Sequence, residues 1–233
     1  MWFSDRSWWQ IAAISLGLNI GIVLNSVTLW RVAASWRGVV DGARPVSTRD
    51  RMLTTSTTIT NAAALVPAWW LWTENVIELV APQLWRIPIE VLYLTLSVDL
   101  AMYWLHRLFH CEPLYRWFHQ IHHTDDTPNN ELTLFVMHPL EAAGFGFVVL
   151  ILLAIWPVSV VGAGIFLTVN LLTGTLAHVL VTGSPSPSAR WIGGSALHQA
   201  HHEVPGSAYG FFTTVPDRVF GSLPASLRTP RPR

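Results

Sequence analysis

The chain contains no lysine; its fourteen basic residues are all arginine, and fourteen acidic residues cancel them to a formal net charge of zero. That balance removes the bulk positive charge with which nucleic-acid binders hold phosphates, so no nucleic-acid partner is expected. A single cysteine, Cys111, excludes an intramolecular disulfide. Charge of either sign is scarce: 12% of the 233 residues are charged, against about a quarter in soluble proteins. Hydrophobic residues make up 51% and the mean hydropathy is +0.38. An ordinary water-soluble domain is thereby excluded. The N-terminus also lacks the pattern of a cleaved signal peptide, since its apolar stretch is long, opens on aromatics and meets no small-residue cleavage site.

What is present fits a membrane. Thirteen tryptophans in a chain this short suggest belts at the lipid–water boundary. Residues 8–30 are long enough to span a bilayer, opened by Trp8-Trp9 and closed by Arg31. Residues 31–53 read as a polar loop with a short interfacial helix. A second span covers 57–72 with Pro67 inside it, a turn follows from 74 to 88, and a third span covers 89–105. A fourth opens at His138-Pro139 and runs to Trp156, and Pro157 turns the chain into a fifth over 158–181. Residues 182–194 read as a loop, and Thr124 to Pro128 as a helix stop. The expected fold is all-α and integral to the membrane, with about five transmembrane helices and a histidine-rich cytoplasmic cap. Its expected parts are an N-terminal transmembrane region (1–88), a catalytic region (89–222) and a flexible polar tail (223–233).

Ten histidines are distributed unevenly. Eight fall in three clusters: His106 and His110; His119, His122 and His123; and a repeat of that spacing at His198, His201 and His202. His138 and His178 stand alone. On a helix, residues three or four apart share a face, so each cluster aims imidazoles together. Neutral imidazole is the commonest metal ligand, and ten exceed what one tetrahedral ion uses; two ions sharing the set is the economical solution. With five spans, all ten histidines fall on one side. Twelve of the fourteen arginines fall on that side too, leaving Arg6 and Arg86 opposite, so the positive-inside rule makes the histidine face cytoplasmic. Asp99 lies inside the third span on the stripe of Tyr103, His106 and His110. An ionisable residue at membrane depth is a functional candidate, and its expected role is to hold a ligand imidazole in one tautomer. Glu141, three residues beyond His138, is expected to support His138 or cap the helix end. Imidazole donors suit iron, zinc, copper or nickel alike, so the residues leave the metal open. They also leave open a membrane zinc hydrolase with Glu141 or Glu203 as base, and a metal transporter or haem-binding bundle.

With these motifs, the chain resembles the fatty acid hydroxylase / sterol desaturase superfamily of integral-membrane oxygenases. The residues that carry the resemblance are His106-xxx-His110, His119-xx-His122-His123, His138-Pro-Leu-Glu141, His178 and His198-xx-His201-His202. Tyr209-Gly210 and Asp217-Arg-Val-Phe-Gly221 also match. The family often carries Asn before the Tyr-Gly pair, where this chain has Ala208. The resemblance implies two iron ions bound by the ten histidines (zinc can substitute on purification), with Asp99, Glu141 and Tyr209 supporting the ligands. It further implies O2 and a membrane lipid as substrates, hydroxylated or desaturated at a C–H bond. Electrons would come from a separate reductase with a ferredoxin- or cytochrome-type carrier. The expected location is a bacterial inner membrane, with the histidines facing the cytoplasm.

Overall fold

The apolar stretches fold as long helices whose ends are marked by local chemistry. In the computed structural model, which describes residues 6–39, 42–124, 129–179, 191–204 and 206–228, α1 is Trp8–Trp36. Ser7 and Gln10 cap its start reciprocally, and Gly38 follows its end at φ +67°, a left-handed stop that glycine adopts freely. Helix α2 (Thr48–Thr73) is capped by Ser47, whose side chain accepts from the Asp50 N–H. Both helices extend well into the stretch expected to be loop, because capping signals rather than polarity end a helix. Helix α3 (Ile87–Phe109) carries Pro88 in its first turn, where a missing N–H costs nothing. A π-helical turn (Tyr115–His119) leads directly into the short α4 (Gln120–Thr124). Helix α5 (Pro139–Ile155) and helix α6 (Val160–Ala177) flank a tight turn that carries β2 (Val158–Ser159). That strand pairs in parallel with β1 (Leu79–Val80). Three short helices close the chain: α7 (Ser195–Glu203), α8 (Val215–Val219) and α9 (Ala225–Arg228).

The five long helices form a closed ring in which α1 packs on α2, α2 on α5, α5 on α3, α3 on α6 and α6 on α1. Hydrogen bonds at both ends fix their directions. At one end Arg86 donates to the Pro157 carbonyl and Ser159 to the buried Glu90 carboxylate, so α3 and α6 start together. Tyr93 donates to the Leu152 carbonyl there, so α5 finishes where α3 begins. At the other end Trp30 near the close of α1 donates to the His178 carbonyl just past α6. Asn130 ties the start of α2 to the segment before α5 through Asp50. The last turns of α1, α3 and α6 and the first turns of α2 and α5 therefore share one end. All ten histidines lie there.

Three helices, α1, α3 and α6, are long and apolar enough to cross a membrane. Helix α5 is equally apolar but 17 residues long, and the first half of α2 is rich in threonine. The expected stop at 125–128, most of the loop expected at 182–194, Arg190, and the end of the tail with Arg231 and Arg233 lie outside the described residues. The part of the tail that is described is packed: Leu223 and Leu227 are buried against Leu197 and Ala200 of α7.

Candidate metal centre

Four elements converge on the first histidine group. His106 on α3 and His110 at its C-cap lie one turn apart on one face. His119 closes the π turn, His123 follows on α4, and His201 comes from α7. One ligand nitrogen from each of the five lies within 4.8 Å of all the others. The Nε2 atoms of His106 and His119 are 3.1 Å apart, those of His119 and His123 3.1 Å, those of His123 and His201 3.0 Å, and those of His201 and His110 3.1 Å. Metal–nitrogen bonds of about 2.0–2.1 Å place neighbouring ligands of one ion about 3 Å apart.

A second group adjoins the first. His122 on α4, His178 just past α6 and His198 on α7 also place ligand nitrogens within 4.8 Å of one another. His202 joins them, its Nε2 3.1 Å from that of His198, while its ring lies 4.3 Å from His123 of the first group. The two His-x-x-His-His segments are thus each divided between the groups. His119 and His123 face the first group and His122 the second; His198 and His202 face the second and His201 the first. The spacing had suggested instead that His119, His122 and His123 aim at one point.

The tautomers show what these groups can hold. His106 Nδ1–H donates to the Tyr209 carbonyl at 3.1 Å, His201 Nδ1–H to the Ser207 carbonyl at 2.8 Å and His178 Nδ1–H to the Gly174 carbonyl at 2.8 Å. A carbonyl can only accept, so in each neutral ring Nε2 carries the lone pair. His119 Nδ1 meets the Glu141 carboxyl group at 2.8 Å; with that group ionised, Nδ1–H donates to it and the Nε2 lone pair faces that of His106. Two facing lone pairs repel unless a proton or a cation lies between them. A proton is disfavoured: burial, and then the neighbouring imidazole of His202, pull His110 down to about 4. Burial and neighbouring imidazoles hold His122, His198 and His201 well below the usual histidine range. A metal cation fits this donor set.

The supporting residues are not all those expected. Glu141, in the first turn of α5, is the carboxylate that meets an imidazole. Asp99 touches no histidine: its Oδ1 accepts from the backbone N–H groups of Phe211, Phe212 and Thr213 at 3.1, 2.7 and 3.3 Å. Helical phase puts Asp99 on the stripe of His106, but two turns below it, where the returning segment 211–213 supplies its partners. Tyr209 contributes its backbone carbonyl to His106, with its ring 5.2 Å from His110. His138 lies in neither histidine group among the described residues. It is the N-cap of α5, its Nδ1 accepting from the Leu140 N–H at 3.1 Å, because Pro139 at the next position fixes it outside the helix. Cys111 is exposed, its thiol directed to the Arg107 carbonyl.

Other contributors were not singled out from the sequence. Asp217, fully buried, accepts from the backbone N–H groups of Tyr209 and Gly210 at 2.8 Å each and from the Ser222 hydroxyl. At Gly210 a side chain would collide with the Thr213 carbonyl and this carboxylate. Asn129 and Trp30 both donate to the His178 carbonyl. The Tyr-Gly and Asp-Arg-Val-Phe-Gly motifs were visible; that the aspartate clamps the tyrosine backbone was not.

Fold and site together define a class: membrane helical proteins with histidines gathered at one end of the bundle. Comparison narrows it. The fatty acid hydroxylase family model matches residues 91–222, and the chain belongs to the fatty acid hydroxylase / sterol desaturase superfamily. Among curated relatives, a Delta(7)-sterol 5(6)-desaturase of Leptosphaeria maculans is 30% identical over 142 residues, covering 60% of this chain and 38% of that protein. Lathosterol oxidase of Rattus norvegicus is 31% identical, covering 54% and 42%. A very-long-chain aldehyde decarbonylase of Oryza sativa subsp. japonica is 31% identical, covering 49% and 44%. The match therefore spans less than half the length of each of these relatives. No solved structure matches the chain.

Proposed function

We propose that this protein is a membrane oxygenase that binds two iron ions in its two histidine groups and hydroxylates or desaturates a lipid at a C–H bond. The observation that carries this is the pair of adjoining groups, one of five histidines and one of three with His202 beside it. The relatives that act on sterols or a very-long-chain aldehyde support a lipid substrate. When bound, the irons supply activation of O2 and attack on an unactivated C–H bond. The chain's residues supply the rest. The Tyr209 and Ser207 carbonyls and the Glu141 carboxylate orient His106, His201 and His119. Asp99 and Asp217 hold the backbone on which Tyr209 sits. Electrons come from a separate donor.

We further propose that all five long helices span the bilayer, with the histidine end in the cytoplasm; their closed ring and alternating directions support this reading. Among the described arginines, Arg6 and Arg86 belong to the opposite end, and the positive-inside rule favours this orientation. The test combines metal analysis of anaerobically purified protein with lipid mass spectrometry of expressing cells grown under 18O2. The expected result is two irons per chain and a lipid that gains labelled oxygen or loses two hydrogens. One metal or fewer after reconstitution, or turnover that persists without O2, would overturn the proposal and return the hydrolase reading.

A further inference from the structure

On α3 the outward residues Leu92, Leu96, Leu100, Trp104 and Leu108 recur every four positions, and each is about half exposed. In a spanning helix this stripe is the lipid-facing side. The stripe does not end with the helix. Phe220, just past α8, packs its ring 4.7 Å from that of Trp104. On α8 the inward residues Pro216 and Asp217 are buried, whereas Val215 and Val219 are 48% and 69% exposed. Beside α8 runs the strap Trp191-Ile192, held by the bridge of Ile192 to Thr213 and by the Thr214 N–H on the Trp191 carbonyl. Trp191 and Ile192 are 59% and 61% exposed, and the Arg218 guanidinium lies 4.2 Å over the Trp191 ring. An exposed apolar surface capped by an arginine stacked on tryptophan is suited to the headgroup boundary, where an amphipathic ring and a long cationic stem each find both solvents.

We infer that Trp191-Ile192 and Val215–Phe220 form an interfacial anchor, seated in the lipid leaflet at the histidine end and continuous with the lipid-facing stripe of α3. Apolar faces of this kind enter about 5–10 Å into the headgroup–acyl boundary. The occupant is lipid rather than a second protein, because the patch continues a surface that already faces acyl chains, at the depth of Trp104. The anchor also bears on the site. Asp217 on its inner face holds the Tyr209 backbone, whose carbonyl meets His106, so the anchor and the histidine group share one stretch of backbone. The inference rests on the membrane reading, not on the chemistry.

Spin labelling tests it on the full chain in phosphatidylcholine–phosphatidylglycerol nanodiscs, with Cys111→Ser as background. Nitroxides are placed at Val219→Cys and, independently, Ile192→Cys. Leu100→Cys serves as the lipid reference and the exposed Arg116→Cys as the aqueous one. The expected result at 219 and 192 is collision with O2 severalfold above collision with a water-soluble nickel chelate, as at 100 and opposite to 116. Nickel-dominated relaxation at both positions would overturn the anchor, and so would exclusion of both reagents, which would mean a protein surface covers the patch. Metal content of the same labelled samples reports separately on the proposed function.

Discussion

The two His-x-x-His-His segments, 119–123 and 198–202, have the same spacing, yet the fold uses them in opposite senses. In the first, the outer pair His119 and His123 faces the five-histidine group and His122 crosses to the other. In the second, the outer pair His198 and His202 faces the smaller group and His201 crosses back. Helix geometry allows this. Residues four apart are separated by about 40° around the axis, while adjacent residues are separated by about 100°. A helix wedged between two centres therefore gives its i, i+4 pair to one and its i+3 residue to the other. Duplicated spacing encodes a crossed arrangement that ties α4 and α7 to both groups, so neither group can form without both segments.

The crossing residues offer the largest effect. His122→Ala and His201→Ala each remove the single imidazole that a segment lends across, and we expect both to abolish turnover and lower the metal content. Elemental analysis after anaerobic iron reconstitution checks this. Full metal and full turnover in either variant would break the crossed assignment.

Next comes the support behind His119. Glu141→Gln keeps size and an acceptor but replaces the carboxyl group beside Nδ1 with an amide. Loss of such a partner typically costs about 10–100-fold in affinity or activity, and we expect a decrease in that range with the fold retained. Activity equal to the unmodified chain would mean that the contact of 2.8 Å does not set the His119 tautomer.

Asp99→Asn acts further away. It weakens three hydrogen bonds from the backbone of 211–213 and touches no histidine. A hydrogen bond to a charged group contributes about 1.5–3 kcal/mol, so a comparable loss of stability is expected in thermal unfolding, with metal content kept. Metal loss on the scale of Glu141→Gln would give Asp99 a share in the centre that its contacts do not. His138→Ala should be milder again, at about 1 kcal/mol for a lost cap, without change in metal. Depletion of one metal in that variant would return His138 to the ligand set.

These contrasts mark what could be read from the sequence. The long helices and the gathering of all histidines at one end followed from span length and box spacing, since both are local or set by counting turns. The division of each box was not legible, because it depends on where two centres sit relative to one helix. Asp99 meets backbone instead of an imidazole, and Glu141 meets His119 instead of His138, for a related reason: helical phase tells which face a carboxylate occupies but not which distant segment returns to it. Tyr209 and Ser207 act through carbonyls, which no side-chain pattern reveals. His138 could be read either way, and Pro139 beside it was the signal for a cap.

The smallest expected effect lies between those two carbonyls. Ala208 adopts φ +57°, a left-handed conformation, and thereby turns the Ser207 carbonyl toward His201 and the Tyr209 carbonyl toward His106. A left-handed non-glycine residue costs about 1–2 kcal/mol, which Ala208→Gly would relieve. Two losses oppose that gain. Glycine adds about 0.4–1 kcal/mol of unfolded-chain entropy, and Ala208 is 1% exposed against α7, so its buried methyl group contributes about 0.8 kcal/mol. The sums nearly cancel, and the glycine variant should unfold near the parent temperature with metal content and turnover unchanged. Asparagine, which the family often has here, tolerates this conformation but would bury an amide in the same space, so it offers no clear gain. Ala208→Val should behave otherwise, since a β-branched residue at positive φ must shift the backbone and with it both carbonyls. Metal loss is therefore expected in the valine variant and not in the glycine variant. Equal behaviour of the two would show that the loop conformation at Ala208 does not position His106 and His201.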